Sequence, residues 1–313
     1  MDLYKDIVID RDDGIEKAIN TLTQLARSGE YVFRGYNKQD ELLPSIIRGK
    51  VNYENEEADL LKSFERYGSH YFHANTPIDF MSYAQHFGLP TRLLDFTYNP
   101  FIALSFALHG SKSNGSYKNP SDKEYYYIRF ASVNDNILLH TIPVFNGKKE
   151  PAAEYTCTES LAERACLCID SVKKDFEHSD FNPSFGLADP LSFVKAIREV
   201  DDPQGFQLKA NRKAILFVDP NQSNQRIIMQ QGLFMFPYTL QEKEHMSILN
   251  SNSSVIMIHE SLRKDLLGYL DTLGLNAFRL MPDLVSICAA VTQKIKDDRA
   301  EKSTAFKKKG EAK

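Results

Sequence analysis

The chain has 313 residues and a formal net charge of −4, from 38 basic and 42 acidic residues. Hydrophobic residues make up 42% and charged residues 26%, which is typical of a globular protein and excludes a disordered chain, a collagen and a coiled coil. The slightly acidic balance argues against a protein that coats nucleic acid by bulk charge. Four cysteines without metal-ligand spacing are too few for a disulfide framework. The first residues show no secretion signal, and the apolar stretches fall short of the ~20 residues that span a bilayer, so we expect a cytoplasmic protein without membrane contact.

Several segments along the chain are predicted to be helices. One begins after Asp12 or Asp13 and ends at Gly29, because apolar residues recur at helical spacing between them. Residues 100–109 are apolar almost all round, which predicts a buried helix. Further helices are predicted over residues 53–71, 81–86, 159–176, 261–273 and 283–296.

Segments rich in β-branched and aromatic residues predict strands. These segments are residues 30–35, 125–133, 214–219 and 254–259. Strands and helices interleave without a regular βαβ alternation, so the α+β class is favoured over a doubly wound sheet. Residues 296–313 are charged and Lys-rich, which predicts a flexible tail.

Phe33-Arg34-Gly35 ends the first predicted core strand with a cation. Desolvation of an arginine is costly, so Arg34 is expected to meet an anion or a carboxylate. Gly35 would let a ligand or another backbone approach closely. From three residues alone, a structural ion pair is the favoured explanation.

Residues 85–100 concentrate polar side chains just before the buried helix. Asp95 or Thr97 can cap that helix, and Pro100 suits its first turn. With an Arg92–Asp95 ion pair, this is a complete structural explanation. Donors gathered at a helix N-terminus also suit an anionic ligand, so both explanations stay open.

Residues 226–234 follow the strand predicted over 214–219. Gln230 and Gln231 stand between apolar residues, where an ordinary strand would carry Val or Ile. Buried amides need hydrogen-bond partners, so these two either bind neighbouring loops or face a ligand.

Together these segments resemble the FRG domain family, which is named for a Phe/Tyr-Arg-Gly motif. The resemblance rests on residues 33–35, 86–95 and 226–234, with 273–274 and 282–284 similar to the family's ending. It covers most of residues 25–290. The domain organisation that it implies is one FRG domain over residues 1–295, with core motifs at 31–35, 85–107 and 226–236 and an insertion at 143–205.

The order of motifs in this family is similar to that of ADP-ribosyltransferases. The resemblance implies an α+β fold with a split mixed sheet, flanking helices and a helical insertion, and it implies NAD as co-substrate without a metal. Arg34 would hold the phosphate or ribose of NAD. Residues 95–97 and 103–107 would shape the nicotinamide pocket, and Gln230 or Gln231 would stand on a late strand that supports the transition state.

The resemblance thus implies catalytic roles for Arg34, Asp95 and Gln231. The cofactor-binding residues that it implies lie around these three: Gly35, His86, Thr91, Arg92, Thr97, Arg226 and Gln230. The third motif departs from the transferase pattern because it contains no glutamate, and an amide cannot act as a general base. The missing charge would come from Asp95, from Glu242 or Glu244, or from the substrate.

The function implied is transfer of ADP-ribose from NAD to a macromolecule (RNA, DNA or protein) by a bacterial toxin or anti-phage effector, which would need a neutralising antitoxin as partner. A non-catalytic module that binds a nucleotide or a partner is the main alternative. A nuclease that uses His86 and Asp95 ranks last, because the sequence lacks the clustered carboxylates of a metal-dependent nuclease.

Overall fold

A mixed sheet organises the protein in the computed structural model, which describes residues 6–48, 57–71, 77–109, 125–140, 214–220, 225–237, 240–281, 287–288, 291–292 and 295. Its strands are β1 (Ile7–Ile9), β2 (Tyr31–Tyr36), β3 (Leu94–Thr97), β4 (Tyr125–Ser132), β5 (Ile137–His140), β6 (Leu216–Asp219), β7 (Gly232–Met235) and β8 (Ser254–His259). They form one eight-stranded sheet in the order β1-β8-β4-β2-β3-β7-β6-β5. The pairs β1–β8 and β5–β6 are parallel and the other pairs are antiparallel, so the predicted α+β class is confirmed.

Helices flank both faces of the sheet. They are α1 (Gly14–Ser28), α2 (Ser45–Arg48), α3 (Glu57–Gly68), α4 (Pro77–His86), α5 (Pro100–His109), α6 (Gln225–Gln230), α7 (Glu242–Ser251), α8 (Arg263–Thr272) and α9 (Ala277–Leu280). The predicted stop at Gly29 is confirmed, because this residue ends α1 at φ 67°, a left-handed conformation that glycine adopts without strain. The predicted insertion (143–205) and the predicted tail (296–313) lie outside the described residues.

Two apolar layers cover the two faces of the sheet, because successive side chains of a strand point to opposite faces. Val32 and Tyr36 of β2 belong to the layer that includes α4, β6 and β7. Phe33, one residue along, belongs to the layer formed with α1, α5 and α8. As predicted, α5 is buried: seven of its residues are shielded from solvent.

The sheet is split between β2 and β3. These strands share one register pair, Phe33 with Thr97, whereas β2 pairs with β4 over six residues and β3 with β7 over four. The two halves therefore separate at the level of Arg34 and Asp95. The site described below lies next to this separation.

The start of α5 differs from the prediction. Asn99 is the capping residue, and its Oδ1 accepts the backbone N–H of Phe101 at 2.9 Å. Thr97 Oγ1 instead accepts the N–H of Asn99 at 3.0 Å, which holds the strand-to-helix turn, and Pro100 begins the helix as expected. Asp95 takes no part in the cap, so its carboxylate remains available for other contacts.

Candidate functional site

The Phe-Arg-Gly motif on β2 is held by the protein itself. Phe33 is completely buried against α5. A Cβ on Gly35 would stand 1.7 Å from the carbonyl oxygen of Ala103, so only glycine lets α5 lie this close to the strand. Gly35 therefore has a packing role, and the nucleotide contact that the resemblance implies for it stays a prediction.

Arg34 bridges the split in the sheet. Its Nη1 donates to the carbonyl oxygen of Asp95 at 2.6 Å, and its Nη2 and Nε donate to the carbonyl oxygen of Glu41 at 2.6 and 3.2 Å. Burial lowers the pKa of Arg34, and the nearby Asp95 charge opposes this effect. The expected anionic partner is thus replaced by two backbone carbonyls. Two of the five guanidinium N–H groups make no hydrogen bond to the described residues.

A cleft opens beside this bridge, between α4, β3, α6 and β7. Its cavity volume is about 30 Å³, well below the range for small-molecule sites, so the cleft is shallow and open to solvent. Its lining combines polar and apolar side chains with one glycine: Ser82, Gln85, His86, Asp95, Phe96, Arg226, Ile227, Gln230, Gly232, Leu233 and Phe234. Four of the residues singled out in the sequence therefore meet here: His86, Asp95, Arg226 and Gln230.

Asp95 is the carboxylate among the described residues that line the cleft. It is half-buried on β3, and its Oδ1 accepts a hydrogen bond from Gln85 Nε2 at 2.8 Å. Its second oxygen, Oδ2, has no hydrogen bond to the part of the chain that the structure describes. Because burial in a partly apolar cleft strengthens electrostatic interactions, this oxygen is suited to stabilise a positive charge.

The two glutamines of the third motif have different surroundings, and the strand predicted around them is wrong. Gln230 ends the short helix α6, and Gln231 follows in a tight turn at φ 45° before β7 begins at Gly232. Gln230 is buried, with its Nε2 donating to the carbonyl oxygen of Leu280 at 2.7 Å. Gln231 is exposed, and the turn directs only its carbonyl inward, to the N–H of Tyr98. Gln230, and not Gln231, therefore contributes a side chain to the cleft.

Arg92 serves the scaffold. The predicted Arg92–Asp95 ion pair is wrong, because Arg92 is completely buried and its Nε lies 3.1 Å from both carboxylate oxygens of Glu57 on α3. Its Nη1 also donates to the carbonyl oxygen of Pro237 at 3.0 Å. No sequence pattern indicates this partner, which lies 35 residues earlier in the chain and meets Arg92 only through the fold.

Thr91 and Thr97 do not line the cleft but form hydrogen bonds to residues that do. The Thr91 hydroxyl donates to Gln85 Oε1 at 2.5 Å, and the Thr97 hydroxyl donates to the carbonyl oxygen of Gln230 at 2.7 Å. Both threonines are buried and neither lines the cleft. Their hydroxyls therefore orient the glutamines that do line it.

Sequence reasoning missed Gln85, which is the residue that contacts the Asp95 carboxylate. Gln85 precedes His86 in the last turn of α4, so the only available signal was its position beside a residue already singled out. The alternative carboxylates, Glu242 and Glu244, lie in the first turn of α7 and do not line the cleft. Among the described residues, no group of three or more His, Cys, Asp or Glu side chains is placed to bind a metal ion.

A comparison with known protein families recognises part of this region. Residues 29–116 match the family model of the FRG domain. This segment of the chain is similar to the FRG domain. The match includes β2, α4, β3 and α5, so both arginines of the first two motifs and Asp95 lie within it, whereas α6 and β7 complete the cleft from outside it. No curated protein and no solved structure matches the chain significantly.

In the part of the chain that the structure describes, every helix is too short or too polar to cross a bilayer.

Proposed function

We propose that this FRG-domain protein is an NAD-dependent ADP-ribosyltransferase whose active site is the cleft around Asp95. The observation that carries the proposal is the half-buried Asp95 carboxylate, with one oxygen fixed by Gln85 and the other directed at no described partner. Breaking the bond between ribose and nicotinamide makes the ribose carbon positive in the transition state. A fixed carboxylate next to that carbon is the group that stabilises this charge most directly.

The donor set of the cleft fits NAD. Arg226 supplies a guanidinium, whose planar N–H groups match the oxygens of a diphosphate. Phe96 and Phe234, although nearly buried, form the apolar wall of the cleft on which we place the nicotinamide ring. The Nε2 of Gln230 donates a hydrogen bond to the carbonyl oxygen of Leu280, which leaves its Oε1 as an acceptor for a ribose hydroxyl.

The proposed reaction balances with one carboxylate. The bond between ribose C1′ and the nicotinamide nitrogen breaks, a bond from C1′ to a nucleophilic atom of the acceptor forms, and nicotinamide leaves as a neutral molecule. Asp95 stabilises the positive charge at C1′ and then receives the proton that the acceptor atom releases, which it passes to solvent. Gln85 and the Arg34 bridge hold the side chain and the backbone of Asp95 during this step.

The proposed acceptor is a macromolecule, with RNA, DNA and protein as the three classes to be distinguished. The proposed setting is the cytoplasm of a bacterium, in a toxin–antitoxin or anti-phage system. An enzyme that modifies the macromolecules of its own cell requires restraint, so the proposal includes an antitoxin that blocks the cleft or its approach.

The test is transfer of label from NAD, radiolabelled in the adenosine part, to a mixture of RNA, DNA and protein. Wild type is compared with Asp95→Asn, which keeps the size of the side chain, and with Asp265→Asn, the same change at an exposed position of α8. We expect label in one polymer class with wild type and Asp265→Asn, and none with Asp95→Asn. Equal labelling by Asp95→Asn and wild type would overturn the proposed role of the cleft.

A non-catalytic nucleotide-binding module is the second candidate, and the missing glutamate of the third motif favours it. Titration calorimetry with NAD, combined with an assay for released nicotinamide, separates the two candidates. Binding of NAD with no release of nicotinamide and no transfer to any polymer would identify the module. Release that depends on Asp95 would identify the enzyme.

A further inference from the structure

A line of hydrogen bonds runs from the backbone just before β3 to the Asp95 carboxylate. The backbone N–H of Leu93 donates to Thr91 Oγ1 at 3.3 Å, and the Thr91 hydroxyl donates to Gln85 Oε1 at 2.5 Å. Gln85 Nε2 then donates to Asp95 Oδ1 at 2.8 Å. Thr91 is completely buried, and Gln85 and Asp95 both line the cleft.

The direction of this line is set by chemistry. A side-chain amide has an acceptor end and a donor end, and the Thr91 hydroxyl occupies the acceptor end of Gln85. Reversal of the amide would place Gln85 Oε1 against Asp95 Oδ1, where two acceptors repel each other unless the carboxylate carries a proton. The Thr91 hydroxyl therefore determines which end of the Gln85 amide meets the Asp95 carboxylate.

We infer that Gln85 is a positioning residue, which fixes the Asp95 carboxylate so that its Oδ2 oxygen faces the cleft, and that Thr91 fixes the orientation of Gln85. The inference rests on the proposed function for its consequence in catalysis. The bond from Arg34 to the Asp95 carbonyl fixes the backbone of the same residue, so side chain and backbone are held independently.

The decisive variant is Gln85→Glu, which places a second carboxylate within hydrogen-bond distance of Asp95. Two carboxylates at this separation share one proton, so the variant must release a proton at higher pH than wild type before both ionise. The charged and titratable groups that face the pair are Arg34 from β2, His86 from α4 and Arg226 from α6, and all three are unchanged in the variant.

Thermal unfolding tests the inference without NAD. The folded Gln85→Glu protein holds a proton that the unfolded chain releases, so its stability relative to wild type falls as pH rises. We expect the difference in Tm between Gln85→Glu and wild type to widen as pH rises from about 4.3, the ordinary pKa of glutamate, to the raised pKa of the carboxylate pair, and to stay constant above it. The matched control is Gln24→Glu on the exposed face of α1, whose Tm difference stays constant. A constant difference for Gln85→Glu as well would overturn the inference.

Nicotinamide release from NAD tests the consequence for catalysis. In Gln85→Met and Thr91→Val we expect kcat to fall on the order of 10- to 100-fold with KM nearly unchanged, because a misplaced carboxylate costs transition-state charge stabilisation. Thr91→Ser keeps the hydroxyl and restores the rate. The acidic limb of the rate profile of Gln85→Glu moves to higher pH.

The outcomes separate the two proposals. A widening Tm difference with no nicotinamide release by wild type supports the positioning of Asp95 and overturns the proposed enzymatic function. Active wild type with an unchanged kcat in Gln85→Met overturns the role of Gln85 and leaves the proposed function intact.

Discussion

The Phe-Arg-Gly motif on β2 and the cleft beside Asp95 are neighbours, but they differ in what their polar groups contact. The guanidinium of Arg34 donates hydrogen bonds to two backbone carbonyls, and Gly35 allows α5 to pack closely against β2. In the cleft, Asp95 and Gln230 each keep an oxygen that bonds to no described residue. The Phe-Arg-Gly motif therefore builds the scaffold, whereas the chemistry that we propose lies one strand away, at Asp95.

Gly35→Ala tests the packing of the Phe-Arg-Gly motif and has the largest expected effect on stability. The new methyl group would meet the backbone of Ala103 at 1.7 Å, which no side-chain rotation can relieve. We expect a loss of about 4 kcal/mol or more in the free energy of unfolding, measured in urea. A Gly268→Ala control, where a Cβ meets nothing within 4 Å, keeps or gains stability. A well-folded, stable Gly35→Ala protein would contradict the packing role.

Glu57→Gln tests whether Arg92 belongs to the scaffold. It leaves the completely buried Arg92 without its carboxylate partner, so we expect a loss of about 3 kcal/mol in stability. The double variant Arg92→Met with Glu57→Leu removes both charges and recovers most of this loss. An unchanged urea midpoint in Glu57→Gln would show that the pair contributes nothing to the fold.

His245, a buried residue of α7, makes the stability of the protein depend on pH. Its ring is buried and bonds to the carbonyl oxygen of Leu42 at 2.9 Å, and burial lowers its pKa below the ordinary value of 6.5. Below pH 6.5 the unfolded chain binds a proton that the folded protein resists, so stability falls as pH decreases. His245→Gln lowers stability at neutral pH but makes it less sensitive to pH between about 7 and 5. Parallel curves of stability against pH for the two proteins would contradict this role.

Gln231→Gly is the substitution with the smallest expected effect. Gln231 has φ 45° and an exposed side chain, so glycine relieves backbone strain of about 1 kcal/mol and removes no cleft contact. We expect a slightly higher Tm and unchanged nicotinamide release. Loss of activity would restore the catalytic role that the resemblance implies for Gln231.

The sequence predicts those parts of the fold whose causes are local. The helix stop at Gly29 and the strand over β8 follow from glycine chemistry and β-branched composition. By contrast, the resemblance implies a late strand at Gln230 or Gln231, whereas Gln230 ends the helix α6, which at six residues is too short to reveal its period in the sequence.

The candidate site was predictable only as a set of segments. The resemblance brought together His86, Asp95, Arg226 and Gln230, and all four line the cleft. It could not separate them from Arg92, whose buried partner Glu57 lies far away in sequence. Which polar residue meets a neighbour and which faces the cleft depends on tertiary contacts, and no spacing rule contains that information.

The most direct test of the account is the rate of nicotinamide release by Asp95→Asn, measured together with its affinity for NAD. We predict that kcat falls on the order of 100- to 1,000-fold while the dissociation constant for NAD stays nearly unchanged, because the carboxylate acts on charge that develops only in the transition state. A kcat equal to that of wild type in a folded Asp95→Asn protein that binds NAD would contradict the central claim that the cleft around Asp95 performs the chemistry.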